Sequence, residues 1–383
     1  MSETQPLPRK VLMTTDTAGG VWIYSLELAR GLAEQGVEVA LATMGAPLDE
    51  LQREMACRIP RLKVFEGKFK LEWMEDPWRD VERAGDWLLG LEERFAPDLI
   101  HLNGYVHGSL PWSAPKVVVG HSCMLSWWEA VKKEAAPECW DQYCDGVRAG
   151  LAAADMVIAP SEAMMAALNR HYGPFANTRV IHNGRDVRLF RPTAKEPIVF
   201  SAGRLRDEAN NLEALEQVAP RLPWPVFVAG ENHHPDGGEA RPHHTRLLGR
   251  LAQRPLSAWL GRSSIYALPA RYEPFGLSVL EAALSGCALV LGDIPSLREL
   301  WRNRAVFVAP DDPEALEDAL VRLIEDPDRR HSLAAGARSR AIERTTERMV
   351  EGYLDAYAEV LSAAAEPDDA GEMDDPFPRQ VAV

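Results

Sequence analysis

The feature that most constrains the fold is an alternation of short apolar runs with longer amphipathic segments, which occurs twice along the chain. Short runs rich in β-branched side chains are typical of buried parallel strands, and the segments between them have helical spacing. Strands that alternate with helices indicate an α/β architecture with parallel sheets. The predicted strands are 10–15, 37–43, 99–102, 116–120 and 155–159 in the first series, and 198–203, 225–230, 265–269, 288–293 and 305–310 in the second.

The alternation breaks and restarts near residue 190, where Pro192 and Pro197 bracket an irregular segment. A chain of 383 residues is longer than one hydrophobic core usually supports. We therefore predict two Rossmann-like domains that face each other across a deep cleft. A helical pattern follows the second strand series, and the acidic end of the chain has the composition of a disordered tail. The predicted divisions are 1–190, 191–345, 346–365 (a helix) and 366–383 (the tail).

Composition narrows the class of partner. The chain has 42 basic and 57 acidic residues, a formal charge of −15. Such a chain repels the phosphates of nucleic acid, so we expect no nucleic-acid partner. The sequence has no long apolar run and no signal-peptide pattern at its start, and its five cysteines lack metal-like or redox-like spacing. We expect a cytoplasmic protein without an integral membrane segment. The basic run 61–70 favours a solvated strand over a membrane contact.

An acidic loop follows the predicted strand 265–269. Glu273 lies in this loop, at the carboxyl end of a strand, where α/β sheets bind ligands. A helix is predicted to begin just after it. The amides at a helix start favour anions or hydroxyl oxygens. Those amides belong to Phe275, Gly276 and Leu277.

Glu281 lies about one turn into that helix and has two interpretations. It could face solvent on an amphipathic helix, as most helical glutamates do. However, Val, Leu and Ala dominate the residues around it, and an acidic group in so apolar a segment needs a partner or a function. An ionised glutamate there could accept hydrogen bonds from a vicinal diol.

The stretch 273–286, EPFGLSVLEAALSG, resembles the acidic signature of the retaining glycosyltransferases of family 4, which have the GT-B fold. Three other segments resemble the same family and follow its order. They are the first glycine loop and helix, the Asn-Gly-x-Asp segment between the domains, and the loop that opens the donor domain. These segments are 16–43, 180–192 and 201–215, and the likeness covers most of 10–359.

The resemblance implies a role for each matching residue. Glu281 would hold the ribose of a nucleotide-sugar, while Glu273 and the amides after it would hold the donor sugar. Gly19 and Gly20 would let the backbone approach the diphosphate at a helix start. Arg204 matches the phosphate arginine of the family, and a permanent cation suits a diphosphate that gains charge as the sugar leaves.

The family pattern is broken at one position. A lysine usually follows the phosphate arginine, but the matching position here is Ala209 or Asn210, depending on the direction of counting. Neither side chain is cationic. We consider Arg206 and Arg271 as candidates to compensate for it.

Four aromatic side chains of the first domain are further candidates. His121 follows the strand 116–120 and matches a family histidine near the donor sugar and acceptor. His107 is a weaker candidate, because a structural hydrogen bond is the commoner explanation for a single histidine. Trp127 and Trp128 could form a stacking wall for the acceptor, or could equally pack in the domain core.

The resemblance further implies a retaining, metal-independent transfer of a sugar from a UDP-, GDP- or ADP-linked donor to a hydroxyl of a small molecule or glycan. No cofactor is expected. It also implies that the last helix crosses back to the first domain. We assign no metal to the histidine pairs at 233–234 and 243–244, since adjacent side chains in a Gly/Pro-rich loop do not converge naturally.

Two other functions remain in view. A dinucleotide-dependent oxidoreductase would need a Gly-x-Gly-x-x-Gly after an opening strand, and neither series has one. A non-catalytic nucleotide-sugar-binding protein of the same fold is compatible with the missing lysine.

Overall fold

The computed structural model describes residues 6–17, 19–203, 207–230 and 243–365. Within these ranges the chain forms two parallel sheets, with helices packed on the faces of each. The α/β class predicted from the alternation is confirmed. No helix in the described ranges is both long and apolar enough to cross a membrane.

The first sheet has seven strands in the spatial order β3-β2-β1-β4-β5-β6-β7, and every pairing is parallel. Alternate side chains of its strands join two different cores. Val11 and Met13 lie in one cluster, and Leu12 between them lies in the other. This period of two buries both faces of the sheet. The strands are β1 (Lys10–Asp16), β2 (Glu38–Met44), β3 (Leu62–Glu66), β4 (Leu99–Leu102), β5 (Lys116–Val119), β6 (Met156–Ala159) and β7 (Thr178–Val180).

The second sheet has six strands in the order β10-β9-β8-β11-β12-β13, again parallel throughout. It also separates two cores, with Phe200 in one and Val199 in the other. The strands are β8 (Glu196–Ala202), β9 (Val226–Ala229), β10 (Arg246–Leu247), β11 (Ser263–Leu268), β12 (Ala288–Gly292) and β13 (Val306–Val308).

Thirteen α-helices connect and cover the strands within the described ranges. Six follow strands of the first sheet, and the others follow the linker. They are α1 (Gly20–Glu34), α2 (Glu50–Cys57), α3 (Trp78–Phe95), α4 (Met124–Val131), α5 (Asp141–Ala152), α6 (Glu162–Tyr172), α7 (Leu212–Val218), α8 (Gln253–Arg262), α9 (Leu277–Leu284), α10 (Pro295–Trp301), α11 (Pro313–Glu325), α12 (Pro327–Ala341) and α13 (Thr346–Ala365).

The last helix packs on the first sheet rather than the second. Tyr353 and Tyr357 of α13 are fully buried in the core cluster that contains α1 and β1. The hydroxyl of Tyr357 is also 2.6 Å from Nδ1 of His101 on β4. The chain therefore passes between the two domains twice, once before β8 and once before α13.

The two crossings lie side by side. The amide of Arg185 donates to the carbonyl of Arg344 at 3.2 Å, and Arg185 and Thr345 form an isolated parallel bridge. A Cβ at Gly184 would lie 2.1 Å from the Thr345 carbonyl oxygen, so only glycine permits this approach. The predicted tail at 366–383 lies outside the described residues.

Candidate functional site

The loop between β11 and α9 is held by its own acidic side chain. Oε1 of Glu273 accepts hydrogen bonds from the amides of Gly276 at 2.8 Å and Phe275 at 3.2 Å. Gly276 has φ of 84°, a conformation that favours glycine. Ser296 donates to the Glu273 carbonyl oxygen. The structure therefore gives the amides of Phe275 and Gly276 an internal acceptor, and these bonds fix the Glu273 carboxylate at the start of α9.

Glu281 is not on a solvent-facing surface, because it is only 6% exposed. Its Oε1 lies 2.9 Å from Nε of Arg185. Burial raises the pKa of the Glu281 carboxyl, and the Arg185 guanidinium opposes that shift by favouring the charged form. The surface-helix interpretation of Glu281 is therefore wrong, and the partner that its apolar surroundings require is Arg185.

The glycine loop after β1 meets the start of α9 across the domain boundary. Gly19 has φ of 68° and precedes α1, which begins at Gly20. A Cβ at Gly20 would lie 3.5 Å from Cδ1 of Leu277, the first residue of α9. The starts of α1 and α9 therefore lie close together, and the α1 start contributes the partial positive charge of its helix dipole.

A neutral polar network lies at the carboxyl ends of β1, β4 and β5. His121 is half-buried, and its Nε2 lies 2.8 Å from Oδ1 of Asn103. Asn103 also donates from Nδ2 to the Thr14 carbonyl oxygen at 2.7 Å. Burial lowers the pKa of His121 to about 3, with a smaller contribution from His101. The His121 imidazole is therefore neutral at pH 7, with the Nε2 proton donated to Asn103 and Nδ1 left as an acceptor.

His107 lies away from this network. It is 7% exposed, and its Nε2 donates to the Val81 carbonyl oxygen of α3 at 3.0 Å. Burial lowers the pKa of the His107 ring. This is the environment of a structural histidine, the commoner explanation that the sequence already offered.

Trp127 and Trp128 lie on α4, partly exposed, with their rings edge to face and centroids 5.8 Å apart. Nζ of Lys132 lies 5.7 Å from the Trp127 ring centroid. Trp128 has a buried Nε1 without a hydrogen-bond partner in the described part of the chain. Neither tryptophan belongs to the fully buried core.

The two candidate positions for the missing lysine, Ala209 and Asn210, directly precede Asn211. This residue has the left-handed conformation, with φ of 54°, directly before α7, and its Nδ2 donates to the carbonyls of Pro269 and Pro310 at 2.9 and 2.6 Å. Ala209 is buried, and its carbonyl accepts from the Arg271 amide at 2.8 Å. Asn210 instead lies against Gly203, which directly follows β8. A Cβ added at Gly203 would be 3.1 Å from Nδ2 of Asn210. Of the two candidate positions, Ala209 is thus buried and Asn210 is partly exposed.

The candidate compensating cations are placed differently. Arg271 forms an ion pair with Asp311, with Nε and Oδ1 2.8 Å apart, and its Nη1 donates to the Glu208 carbonyl at 3.2 Å. Its guanidinium is therefore already engaged. Arg204 and Arg206 lie outside the described residues.

The two domains contact each other around the site. The hydroxyl of Tyr272, in the acidic loop, accepts from the Cys123 amide at 3.1 Å. Ser161 donates to the Pro274 carbonyl at 2.7 Å. The carboxylate of Glu299 accepts from the first amides of α6, across the domain boundary. The acidic loop is therefore seated on the first domain.

Sequence reasoning missed Arg185, Asn103 and Asn211. The signal for Asn211 is the pair of asparagines directly before a helical pattern, since asparagine tolerates the left-handed conformation. Asn103 follows the strand 99–102, as functional residues of such sheets do. Nothing local marks Arg185, because its partners are distant in sequence.

No group of three or more metal-binding side chains occurs in the parts of the chain that the structure describes. The backbone amides of His243 and His244 donate to Oε1 of Glu216, at 2.6 and 2.7 Å. His233 and His234 lie outside the described residues.

Solved structures with this architecture define the class of fold. Sucrose-phosphate synthase from Thermosynechococcus elongatus superposes with a TM-score of 0.79 at 21% identity, over 93% of this chain and all of that one. Anabaena Alr3699/HepE, solved in complex with UDP-glucose, superposes with a TM-score of 0.71 at 19% identity, over 92% of this chain and 99% of that one. The fold is the GT-B arrangement of two Rossmann-like domains.

The sequence matches two family models in succession. Residues 18–189 match "Glycosyltransferase Family 4", and residues 188–340 match "Glycosyl transferases group 1". The D-inositol 3-phosphate glycosyltransferase of Nocardioides sp. (strain ATCC BAA-499 / JS614) is 26% identical over 91% of this chain and 88% of that protein. The chain therefore belongs to the glycosyltransferases of the family 4 type.

Proposed function

We propose that the protein is a retaining, metal-independent hexosyltransferase that moves a sugar from a nucleotide-sugar to an acceptor hydroxyl. One observation carries this proposal: the glycine start of α1 lies beside the start of α9, with Gly20 near Leu277 and the Glu273 carboxylate fixed there. The N-terminus of α1 favours a diphosphate, and the glycines at its start let the phosphates approach the backbone. Anabaena Alr3699/HepE, which has the same fold, was solved with UDP-glucose.

The donor would extend along the acidic segment. Glu273, oriented by its two amide hydrogen bonds, would accept from hydroxyls of the donor sugar. Glu281 would accept from the ribose hydroxyls, because a carboxylate paired through one oxygen keeps further lone pairs. Gly19 and Gly20 would admit the diphosphate, with Arg204 as its cation.

The first domain would supply neutral contacts. His121 cannot act as an acid near pH 7, because its pKa is about 3. Its Nδ1 would instead accept a hydrogen bond from the sugar or the acceptor. Trp127 and Trp128 would form one wall of the acceptor site.

The chemistry would be a front-face substitution. The bond from the anomeric carbon to the phosphate oxygen breaks with its electron pair on the leaving phosphate, and the acceptor oxygen bonds to the same face. The leaving phosphate takes the proton of the acceptor hydroxyl. The protein contributes positioning and electrostatic stabilisation rather than a nucleophile.

A thermal-shift screen with UDP, GDP, ADP and their sugar conjugates tests donor binding, since a ligand of the folded state raises the melting temperature. NMR of the product then tests retention through the anomeric configuration of the new bond. Activity that survives EDTA supports metal independence, and loss of activity that Mg²⁺ restores contradicts it.

The lack of a cationic side chain at both Ala209 and Asn210 favours a second function, that of a non-catalytic nucleotide-sugar-binding protein. Several sugar nucleotides would raise the melting temperature of a non-catalytic binding protein. Such a protein would neither hydrolyse nor transfer any of them. Slow release of nucleoside diphosphate that is lost in Glu273→Ala would identify an enzyme instead.

A further inference from the structure

Arg185 joins the two domains through a buried charge network. The residue is 3% exposed and belongs to the first crossing between the domains. Its Nη1 lies 3.0 Å from Oε1 of Glu27 on α1, in the first domain. Its Nε lies 2.9 Å from Oε1 of Glu281 on α9, in the second domain. One guanidinium thus pairs with one carboxylate from each domain.

The network is extended and balanced by its neighbours. Arg30 pairs with Glu27, with Nη1 and Oε1 3.1 Å apart. Thr346, the first residue of α13, donates to Oε2 of Glu27 at 2.7 Å. The ring of Phe190 lies 5.1 Å from the Arg185 guanidinium. Two cations and two carboxylates alternate along this network, so no charge in it is left without a counterpart.

Without Arg185, the two buried carboxylates of Glu27 and Glu281 would lie near each other across the domain boundary, with no cation between them. Like charges in a poorly solvated place repel strongly. Removing one member of a buried ion pair also leaves its partner desolvated and uncompensated. The guanidinium therefore compensates both carboxylates at the place where α1 and α9 approach each other.

We propose that Arg185 is a positioning residue that couples the closure of the two domains to the placement of the Glu281 carboxylate for the donor ribose. The part that concerns the ribose rests on the proposed function, and the part that concerns closure does not. A nucleoside diphosphate with both ribose hydroxyls would be recognised through a carboxylate that Arg185 keeps ionised and fixed.

Small-angle X-ray scattering of the ligand-free protein tests the coupling. We expect Arg185→Met to increase the radius of gyration, since the domains separate, and Arg185→Met with Glu281→Gln to reverse part of that increase. Arg185→Lys keeps a cation between the carboxylates but cannot bridge both, so its radius of gyration should lie between those of Arg185→Met and the wild type. The matched control is Arg188→Met, which removes an exposed arginine of the same segment that pairs with Asp186, two residues away. Scattering of Arg185→Met that superposes on the wild type overturns the coupling.

Calorimetric titration with UDP, GDP and ADP, and with their 2′,3′-dideoxy counterparts, tests the placement of Glu281. The wild type should prefer the ribonucleotide by at least about tenfold, the value of a hydrogen bond to a charged group. In Arg185→Met that preference should fall toward unity, and Arg185→Lys should restore part of it. An equal loss of affinity for both nucleotides would show that Arg185 is merely structural.

The two experiments distinguish a failure of the coupling from a failure of the proposed function. A wild type that binds none of these nucleotides overturns the donor assignment and with it the proposed function, while the scattering still decides the coupling. If Arg185→Met does not fold, Arg185→Lys provides both measurements, because its shorter side chain cannot bridge both carboxylates as a guanidinium does. Wild-type behaviour of Arg185→Lys in both measurements would then overturn the proposal.

Discussion

The carboxyl edges of the two sheets carry different polar chemistry. Beneath the glycine loop of the first domain, His121, His101 and Asn103 form a network of neutral groups. At the edge of the second domain, Glu273 and Glu281 are carboxylates, one held by backbone amides and the other by a buried arginine. The charge that could act on a donor is thus concentrated in the second domain. The first domain supplies shape and neutral hydrogen bonds. Substitutions there should therefore lower the transfer rate less than substitutions of the carboxylates in the second domain.

The largest expected effect tests the charged edge. Glu273→Ala should lower the rate of sugar transfer by about 10²–10³-fold, the usual cost of removing a preorganised electrostatic contact. Release of nucleoside diphosphate measures it. Because the side chain also binds the start of α9, Glu273→Gln serves as a second variant that keeps an acceptor but removes the charge. Glu213→Ala, an exposed glutamate of α7, is the control, and equal rates in all four proteins would contradict the comparison.

His121→Ala tests the neutral edge. We expect the rate to fall about 5- to 100-fold, as for the loss of one hydrogen bond to substrate. The shape of the pH–rate profile between pH 5 and 8 should not change, since the pKa of His121 is about 3 and the ring is neutral throughout. An inflection near pH 6.5 that disappears in the variant would show that His121 titrates in the reaction.

His101 should make the stability of the protein depend on pH. Burial lowers its pKa from 6.5 to about 3. Between these values the unfolded chain binds a proton at His101 that the folded protein does not bind. The contribution of His101 to the free energy of unfolding is therefore fully present above pH 6.5 and is lost as the pH falls toward 3. The slope contributed is about 1.4 kcal/mol per pH unit. Urea unfolding at pH 6.0, 5.0 and 4.5 should show a shallower loss in His101→Gln than in the wild type, and parallel curves would contradict the prediction.

The smallest expected effect is a gain in nucleotide affinity at the edge of the second sheet. Asn210→Lys should bind nucleoside diphosphates roughly three- to tenfold more tightly, because a cation next to Gly203 can pair with phosphate. Calorimetric titration against Asn210→Gln, which adds length without charge, isolates the contribution of the charge. In parallel, Arg206→Ala tests the candidate substitute. If donor affinity and rate are unchanged in Arg206→Ala, Arg206 does not compensate for the lysine.

The sequence predicted the interior of each sheet better than its edges. All ten predicted strands are present, because buried parallel strands are continuous apolar runs. The basic run 61–70 contains β3, a partly solvated edge strand. The two strands that the sequence does not reveal, β7 and β10, have three and two residues and lie at sheet edges. An edge strand needs no apolar run, so its pattern cannot be separated from a loop.

In the candidate site, too, local patterns predicted some residues and could not predict others. The sequence marked the acidic loop, the glycine loop and His121, since each directly follows a predicted strand. It also indicated that Glu281 needs a partner. It could not identify Arg185 as that partner, because the pairing depends on how two domains meet. Contacts between residues 27, 185 and 281 leave no periodic signal.

The return of α13 to the first sheet has a consequence for biosynthesis. Met349, Val350, Tyr353 and Val360 belong to the same core as β1 and α1, although they are translated after the strands of the second sheet. The first domain therefore cannot complete its core on the ribosome when its own strands emerge, whereas the second domain carries its core within a continuous segment. We expect the domain that is synthesised first to be the last to reach its native packing.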